Sequence, residues 1–379
     1  MNNITSLLFK LIAVAVDGWE LDGGVSLSEN EEKQLYSLSA AHDLAHLVAY
    51  ALDKNNITVA SEQISEKFKN QQMLSILRYE RQRYEIEEIS LLFNSLKIPF
   101  ILLKGAVIRT MYPEPWMRTG CDIDILVNES DLTAARDALL EKMGYSVDAL
   151  GNHDISFTSQ SGVRIELHFS LLDNRNEDRF LKNVWKYAKQ KEAGSFEYLL
   201  PLEAFYYYHI YHMAKHFMDG GCGIKPFLDL WMMKKTGLSL NEIGSDALRR
   251  GGLYRFAVGV QSLSRVWFES GSHTELTEKM EAYILGGGVY GSRLNKHLTE
   301  KKKRRSKLLY NLSRVWLSPS EMKLRYPKLE KHVWLLPFYQ VKRWCSVFSR
   351  RCENKKVKEQ ECERSADDLV SYLIKSLEL

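Results

Sequence analysis

The side chains best suited to chemistry lie in two short runs, Leu102-Leu103-Lys104-Gly105 and Cys121-Asp122-Ile123-Asp124-Ile125-Leu126-Val127. Side chains alternate along a strand, so Asp122 and Asp124 project from one face while Ile123, Ile125 and Val127 enter a core. Two neighbouring carboxylates repel, and a fold keeps such a pair where a hard cation neutralises both. A glycine turn that opens a short helix presents backbone N–H groups and a helix dipole to phosphate. Lys104 adds a charge-assisted contact there, and Arg118, just ahead of the acidic strand, is a second cation for phosphate. A third carboxylate comes from Val163 to Phe169, where Glu166 and His168 share one face and Ile165, Leu167 and Phe169 the other. Three carboxylates on adjacent strands are the minimum for transfer from a triphosphate with two metal ions. One ion activates the attacking hydroxyl, and the other holds the triphosphate and its leaving pyrophosphate.

Each piece has a plain structural reading when taken singly. An Asp-x-Asp strand is common, Glu166 could be solvated, and Arg118 could form a surface ion pair. The order carries the inference: strand, glycine turn, helix, arginine, acidic strand, helix, hairpin, acidic strand.

The elements that must position these groups follow from periodicity. Residues 1–96 read as helical, with Ser28 as an N-cap ahead of Glu29, Glu31 and Glu32. One helix is expected to continue from there through Leu35, Leu38, His42 and Ala45 to Leu52, and another to run from Ser61 to Leu96. Strands are expected at Phe100 to Leu103, Asp122 to Val127, Ile155 to Thr158 and Val163 to Phe169, with a helix from Ser130 to Met143. From about Asn176 the helical period returns and is expected to persist to the end, where Glu353 to Glu363 reads as charged and flexible before a short helix at Asp367 to Leu377. The expected class is α+β: a small mixed-sheet core, 97–175, between an N-terminal helical segment, 1–96, and a C-terminal helical domain, 176–379.

Composition sets the context. The chain has 379 residues, 45% of them hydrophobic and 26% charged, as in an ordinary globular protein, and a formal net charge of +4. That charge is too small for a nucleic-acid coat, although it clusters at Lys301 to Arg305, at Arg350-Arg351 and at Lys355-Lys356. Five cysteines, with no CxxC pair and no zinc spacing, read as reduced thiols. The N-terminus reads as an amphipathic helix rather than a signal peptide, and no apolar run is long enough to span a bilayer, so the expected location is the cytoplasm.

The stretch from Ile98 to Leu171 resembles the nucleotidyltransferase core of the DNA polymerase beta superfamily. More narrowly it resembles a poorly characterised bacterial nucleotidyltransferase family, through Ile98, Leu102 to Gly105, Tyr112-Pro113, Arg118 and Asp122 to Val127. The likeness continues into His212 to His216, Gly223 to Lys225, Asp229, Val289 to Gly291 and Pro319 to Arg343. It implies transfer of a nucleoside monophosphate from a nucleoside triphosphate to an unidentified acceptor with release of pyrophosphate. Asp122, Asp124 and Glu166 would hold two Mg²⁺ ions, for which Mn²⁺ can substitute, and Lys104, Gly105 and Arg118 would hold the nucleotide. His168, His212, His216, Lys225 and Asp229 would line the cleft or meet the acceptor, which could be a small molecule, peptide, protein or RNA. One departure stands out: the superfamily's usual turn is Gly-Gly or Gly-Ser, whereas Lys104-Gly105 is followed here by Ala106. The alternatives are an inactive nucleotide sensor of the same fold and an RNA-binding protein.

Three motifs lie outside that core. His209, His212 and His216 form one stripe on a helix, a pattern open to zinc or to satisfied structural histidines. Basic and aromatic residues interleave from Lys301 to Arg351, including Trp316, Trp334, Phe338, Tyr339, Trp344 and Phe348, which suits nucleic acid, a membrane surface or simple packing. Gly286-Gly287-Gly288 is not followed by Gly-Lys-Ser/Thr and reads as a hinge.

Overall fold

Alternation along the strands builds the sheet that carries the acids. In a computed structural model of the chain, residues 3–18, 21, 25–151, 153–172, 179–238, 245–303, 333–340 and 357–379 are described. The helices before the sheet are α1 (Asn3–Asp17), α2 (Glu29–Ala41), α3 (Ala45–Lys54) and α4 (Glu62–Ser95). The sheet region runs β1 (Phe100–Leu102), α5 (Gly105–Ile108), β2 (Asp122–Val127), α6 (Leu132–Glu141), β3 (Ser146–Leu150), β4 (Asp154–Thr158) and β5 (Arg164–His168). After it come α7 (Arg179–Lys182), β6 (Lys189–Gln190), β7 (Glu197–Leu199), α8 (Leu202–Met218), α9 (Lys225–Lys235), α10 (Asp246–Arg250), α11 (Tyr254–Phe268), α12 (Glu275–Leu285), α13 (Arg293–Lys303) and α14 (Val357–Leu377).

The seven strands form one mixed sheet in the order β3-β4-β5-β2-β1-β7-β6. β2 and β5 run parallel with Asp124 opposite Glu166 and Leu126 opposite His168, and β1 lies antiparallel on the other side of β2. Ile123, Ile125, Val127, Phe157, Ile165 and Leu167 are buried behind the sheet with Ala135 and Leu139 of α6 and with Ile89 and Phe93 of α4. α4 serves two cores: its first half sends Ile64 and Phe68 into the helical body, and its second half backs the sheet. A 34-residue helix, roughly 50 Å long, is what that span requires. The opposite sheet face looks toward α8 and α9.

The α+β class, a mixed sheet flanked by helices, is the one expected, and Ser28 caps α2 with a reciprocal bond to Glu31. Four local expectations are corrected. The helix expected to run from Glu29 to Leu52 breaks at Asp43, whose φ of +54° turns the chain so that its carboxylate can reach distant partners. β3 was not anticipated, because its five exposed residues show no alternating burial. β6 and β7 interrupt the helical run expected after Asn176, and β7 pairs parallel with β1. Finally, Val357 to Glu363 belongs to helix α14.

The Gly286-Gly287-Gly288 run is also no hinge. Gly288 (φ +66°) sits so close to α2 that a Cβ would stand 2.8 Å from the Ala41 carbonyl oxygen, and the Val289 N–H bonds that oxygen at 3.0 Å. The turn is pinned by backbone approach.

Two charge clusters, one buried and one partly buried, join the three parts of the chain. Asp43 accepts from Thr119 Oγ1 at 2.8 Å and from Lys225 Nζ, and that Nζ also donates to the Thr119 hydroxyl at 3.0 Å. Asp229 of α9, fully buried, accepts from Arg118 Nε at 3.0 Å, Arg118 Nη2 at 2.9 Å and Tyr112 Oη at 2.7 Å. Burial alone would raise the Asp229 carboxyl, but the Arg118 guanidinium holds it below the ordinary carboxylate range. A third tie runs from His46, whose Nε2–H donates to the Met117 carbonyl at 2.8 Å.

These ties generate two expectations. Arg118→Met strands the Asp229 charge in the interior, so urea denaturation should show a loss of about 3–5 kcal/mol. Adding Asp229→Leu should recover much of that loss. A single-variant loss below about 1 kcal/mol would show that the pair does not pin α9. The second concerns His46, which burial lowers from 6.5 to about 4. The folded state holds it neutral while the unfolded chain protonates, so its contribution to stability is lost as pH falls from 6.5 to about 4. The loss is on the order of 3 kcal/mol. Unfolding titrations across that window should show a shallower pH slope for His46→Gln than for the wild type, and an equal slope would refute the assignment.

Candidate active site

The first turn after β1 is tied to the acidic strand: the Leu103 N–H donates to the Asp124 carbonyl at 3.0 Å, delivering Lys104 beside the Asp124 side chain. Lys104 adopts φ +43°, ψ −118°, a conformation suited to glycine and costing a non-glycine residue about 1–3 kcal/mol. The departure from a Gly-Gly turn noted in the sequence therefore places a lysine where the backbone favours glycine. α5 is a single turn, and the N–H groups of Ala106, Val107 and Ile108 bond back to the carbonyls of Leu103 and Lys104. The expectation of a helix dipole with several free N–H groups is corrected on that ground, since three of the turn's N–H groups are already bonded.

That cation meets an acid. Lys104 Nζ donates to Asp124 Oδ1 at 2.7 Å, and His168 Nε2 donates to the same oxygen at 2.8 Å. Both residues of the Lys104–Asp124 pair are removed from bulk water, with side-chain exposures of 19% and 3%. Burial alone would raise the Asp124 carboxyl, yet the Lys104 charge and the His168 bond hold it well below the ordinary carboxylate range. Its neighbours go the other way. Burial raises the Asp122 carboxyl, helped by the Asp124 charge and opposed by Lys104 and Arg118. Burial and the charges of Asp124 and Asp122 raise that of Glu166. Asp124 is the most fully compensated of the three, while Glu166 also meets Arg164, a half-exposed cation whose Nη2 lies 3.3 Å from its Oε1.

Glu166 points toward the aspartates, and its Oε2 lies 3.7 Å from His168 Nε2. Asp124, Glu166 and His168 each present a ligand atom within 4.8 Å of the others, the one such group of His, Cys, Asp and Glu among the described residues. Asp122 lies two residues before Asp124 on the same face of β2 and is partly exposed. Together they floor a cleft of about 350 Å³, with Lys104 and Gly105 at one side and α8 opposite.

The facing wall is largely aromatic, with Lys215 of α8 also in its lining. His212 and His216 share a hydrogen bond, Nε2 to Nε2 at 3.0 Å, and burial together with the Lys104 charge pushes both below the usual imidazole range. Tyr208, Tyr211 and Tyr290 complete that wall. His209 turns away, with Nε2 3.1 Å from the Pro226 carbonyl, so the histidine stripe does not converge as a zinc site.

The residues singled out in the sequence thus separate into two groups. Asp122, Asp124, Glu166, His168, Lys104, Gly105, His212 and His216 converge on the cleft. Arg118, Asp229 and Lys225 border it, but their charges are spent on one another and on Asp43. Arg118 Nη1 donates to the Thr119 carbonyl at 2.6 Å and lies 3.5 Å from where a Gly105 Cβ would stand. It packs against the turn with its charge matched to Asp229. Asp229 is fully buried, its oxygens engaged by Arg118 and Tyr112. Sequence reasoning missed Asp43 and Tyr208, and it placed Tyr290 within the family likeness without a role in the cleft. Asp43 alone left a trace, as an acid inside an otherwise apolar helical pattern.

The basic and aromatic stretch lies mostly outside the described residues: Arg304-Arg305, Trp316, Pro319 to His332, Val341 to Arg351 and Lys355-Lys356 all fall there. No helix among the described residues is long and apolar enough to cross a membrane.

The sequence profile of an uncharacterised nucleotidyltransferase family matches residues 28–268. That span holds the acidic strands, the Lys104 turn and helices α8 and α9. No curated protein sequence matches the chain. Among solved structures, the solution structure of the antibiotic-resistance factor ANT(2'')-Ia is similar at 16% identity and a TM-score of 0.35. That likeness covers 48% of this chain and 95% of that one, and at this level it carries no weight for function. With most of its length matched by that profile, the chain belongs to the uncharacterised nucleotidyltransferase family.

Proposed function

We propose that this protein transfers a nucleoside monophosphate from a nucleoside triphosphate to an acceptor hydroxyl, releasing pyrophosphate. The observation that carries the reading is the β2/β5 register, which sets Asp122, Asp124 and Glu166 on one sheet face beside the Lys104 turn. The donor set fits a divalent cation. Its oxygens are hard, and burial together with the neighbouring acids' charge raises the carboxyls of Asp122 and Glu166, a strain that a cation would relieve. Asp122, Asp124 and Glu166 would hold the cation, with Mg²⁺ suited to the oxygen ligands and Mn²⁺ able to replace it. When bound, such ions neutralise charge on the triphosphate and lower the pKa of the attacking hydroxyl.

The chain's own groups divide the remaining work. Lys104 lies within reach of the triphosphate, with Gly105 leaving room for it and Arg118 supporting the turn from behind. His212 and His216, imidazoles kept neutral on the wall facing the acids, are the bases placed to take the acceptor's proton. The hydroxyl oxygen forms its bond to the α-phosphorus as the bond to the bridging oxygen of pyrophosphate breaks. The neutral rings of Tyr208, His212 and His216 supply a wall on which a nucleoside or an uncharged acceptor can pack.

The test uses each α-labelled triphosphate with Mg²⁺ or Mn²⁺ and a panel of small-molecule, peptide and RNA hydroxyls. Labelled product and pyrophosphate should form with the wild type and fall by about a hundredfold or more in Asp122→Asn and Asp124→Asn. Nucleotide binding without turnover across the panel would instead identify a nucleotide sensor. RNA binding that is lost with salt but indifferent to these substitutions would point to the undescribed basic stretch.

A further inference from the structure

The cations that line or border the cleft floor are unequally paired. Arg118 is matched to Asp229 and Lys225 to Asp43, acids that stand apart from the carboxylate cluster. Two cations are matched to members of the cluster: the half-exposed Arg164 to Glu166 at 3.3 Å, and the largely buried Lys104 to Asp124 through a 2.7 Å contact on Oδ1. Lys104 also opens the turn next to which the triphosphate would lie. Its long flexible stem gives Nζ two anionic destinations, the Asp124 carboxylate and a phosphate oxygen. With the pair largely dehydrated, neither destination is available to the other partner without displacement.

We propose that Lys104 is an exchangeable counter-ion that couples nucleotide binding to cation binding. Without nucleotide it neutralises Asp124 and weakens the cluster's hold on a divalent cation. When a triphosphate is seated, Nζ transfers to phosphate and Asp124 is left for the cation. His168 remains on Oδ1 through the exchange, keeping the carboxylate oriented. The inference rests on the metal-dependent reading given above, and it adds an order of assembly: cation and nucleotide arrive as interdependent ligands. Linkage makes the effect reciprocal, so each tightens the other by the same factor.

The experiment is a Mn²⁺ titration of the full chain, followed by the electron paramagnetic resonance signal of the free ion, with no nucleotide present. Lys104→Met should bind Mn²⁺ about tenfold or more tightly than the wild type, because the competing charge is gone. Lys104→Gln, which keeps a hydrogen-bond donor but no charge, should behave likewise and serves if the methionine variant does not fold. Asp124→Asn should abolish the gain in either background. Equal Mn²⁺ affinity in the wild type and a folded Lys104 variant would overturn the proposal, as would a gain that survives Asp124→Asn. Turnover is not read in this measurement, so failure of the transferase reading and failure of the coupling are distinguishable.

Discussion

The structure turns on the parallel pairing of β2 with β5. That register sets Asp124 beside Glu166 and brings three carboxylates onto one sheet face, an arrangement electrostatics disfavours unless positive charge is supplied. The local protein supplies only part of it. Lys104 and His168 satisfy Asp124, while Asp122 and Glu166 are held at raised pKa by burial and by their neighbours' charge. Much else follows as support for this face. The apolar side of the same strands packs on α4 and α6, fixing the alternation. Buried and partly buried ion pairs at Arg118 and Lys225 hold the helices that close the cleft.

The division of labour among cations is informative. Arg118 and Lys225 are structural: each lies within a network that ties the α5–β2 connection to α9 or to the α2–α3 turn. Lys104 is different because its backbone is strained and its partner belongs to the acid cluster. A non-glycine residue in such a conformation persists only where the surrounding structure enforces it.

What could be read from the sequence was what local periodicity encodes. Period-two alternation located Asp122 to Val127 and Val163 to Phe169 and set Glu166 and the aspartates on outward faces, and helical spacing located α4. The misses share a cause, since each depends on a partner far away in sequence. Asp43 breaks a helical pattern for the sake of Thr119 and Lys225, more than 70 residues on. Arg118 looked like a free cation because Asp229 lies 111 residues downstream. β7 is a three-residue strand that exists by pairing with β1, and β3 is an exposed strand with no apolar face to reveal it.

The account stands on three carboxylates sharing cations at the Lys104 turn, and locating those cations tests it most directly. Crystals soaked with Mn²⁺ and a non-hydrolysable triphosphate should give anomalous scattering peaks between Asp122, Asp124 and Glu166, with the triphosphate against Lys104 and Gly105. Anomalous peaks away from β2 and β5, or a triphosphate bound elsewhere with no ion on the aspartates, would contradict it.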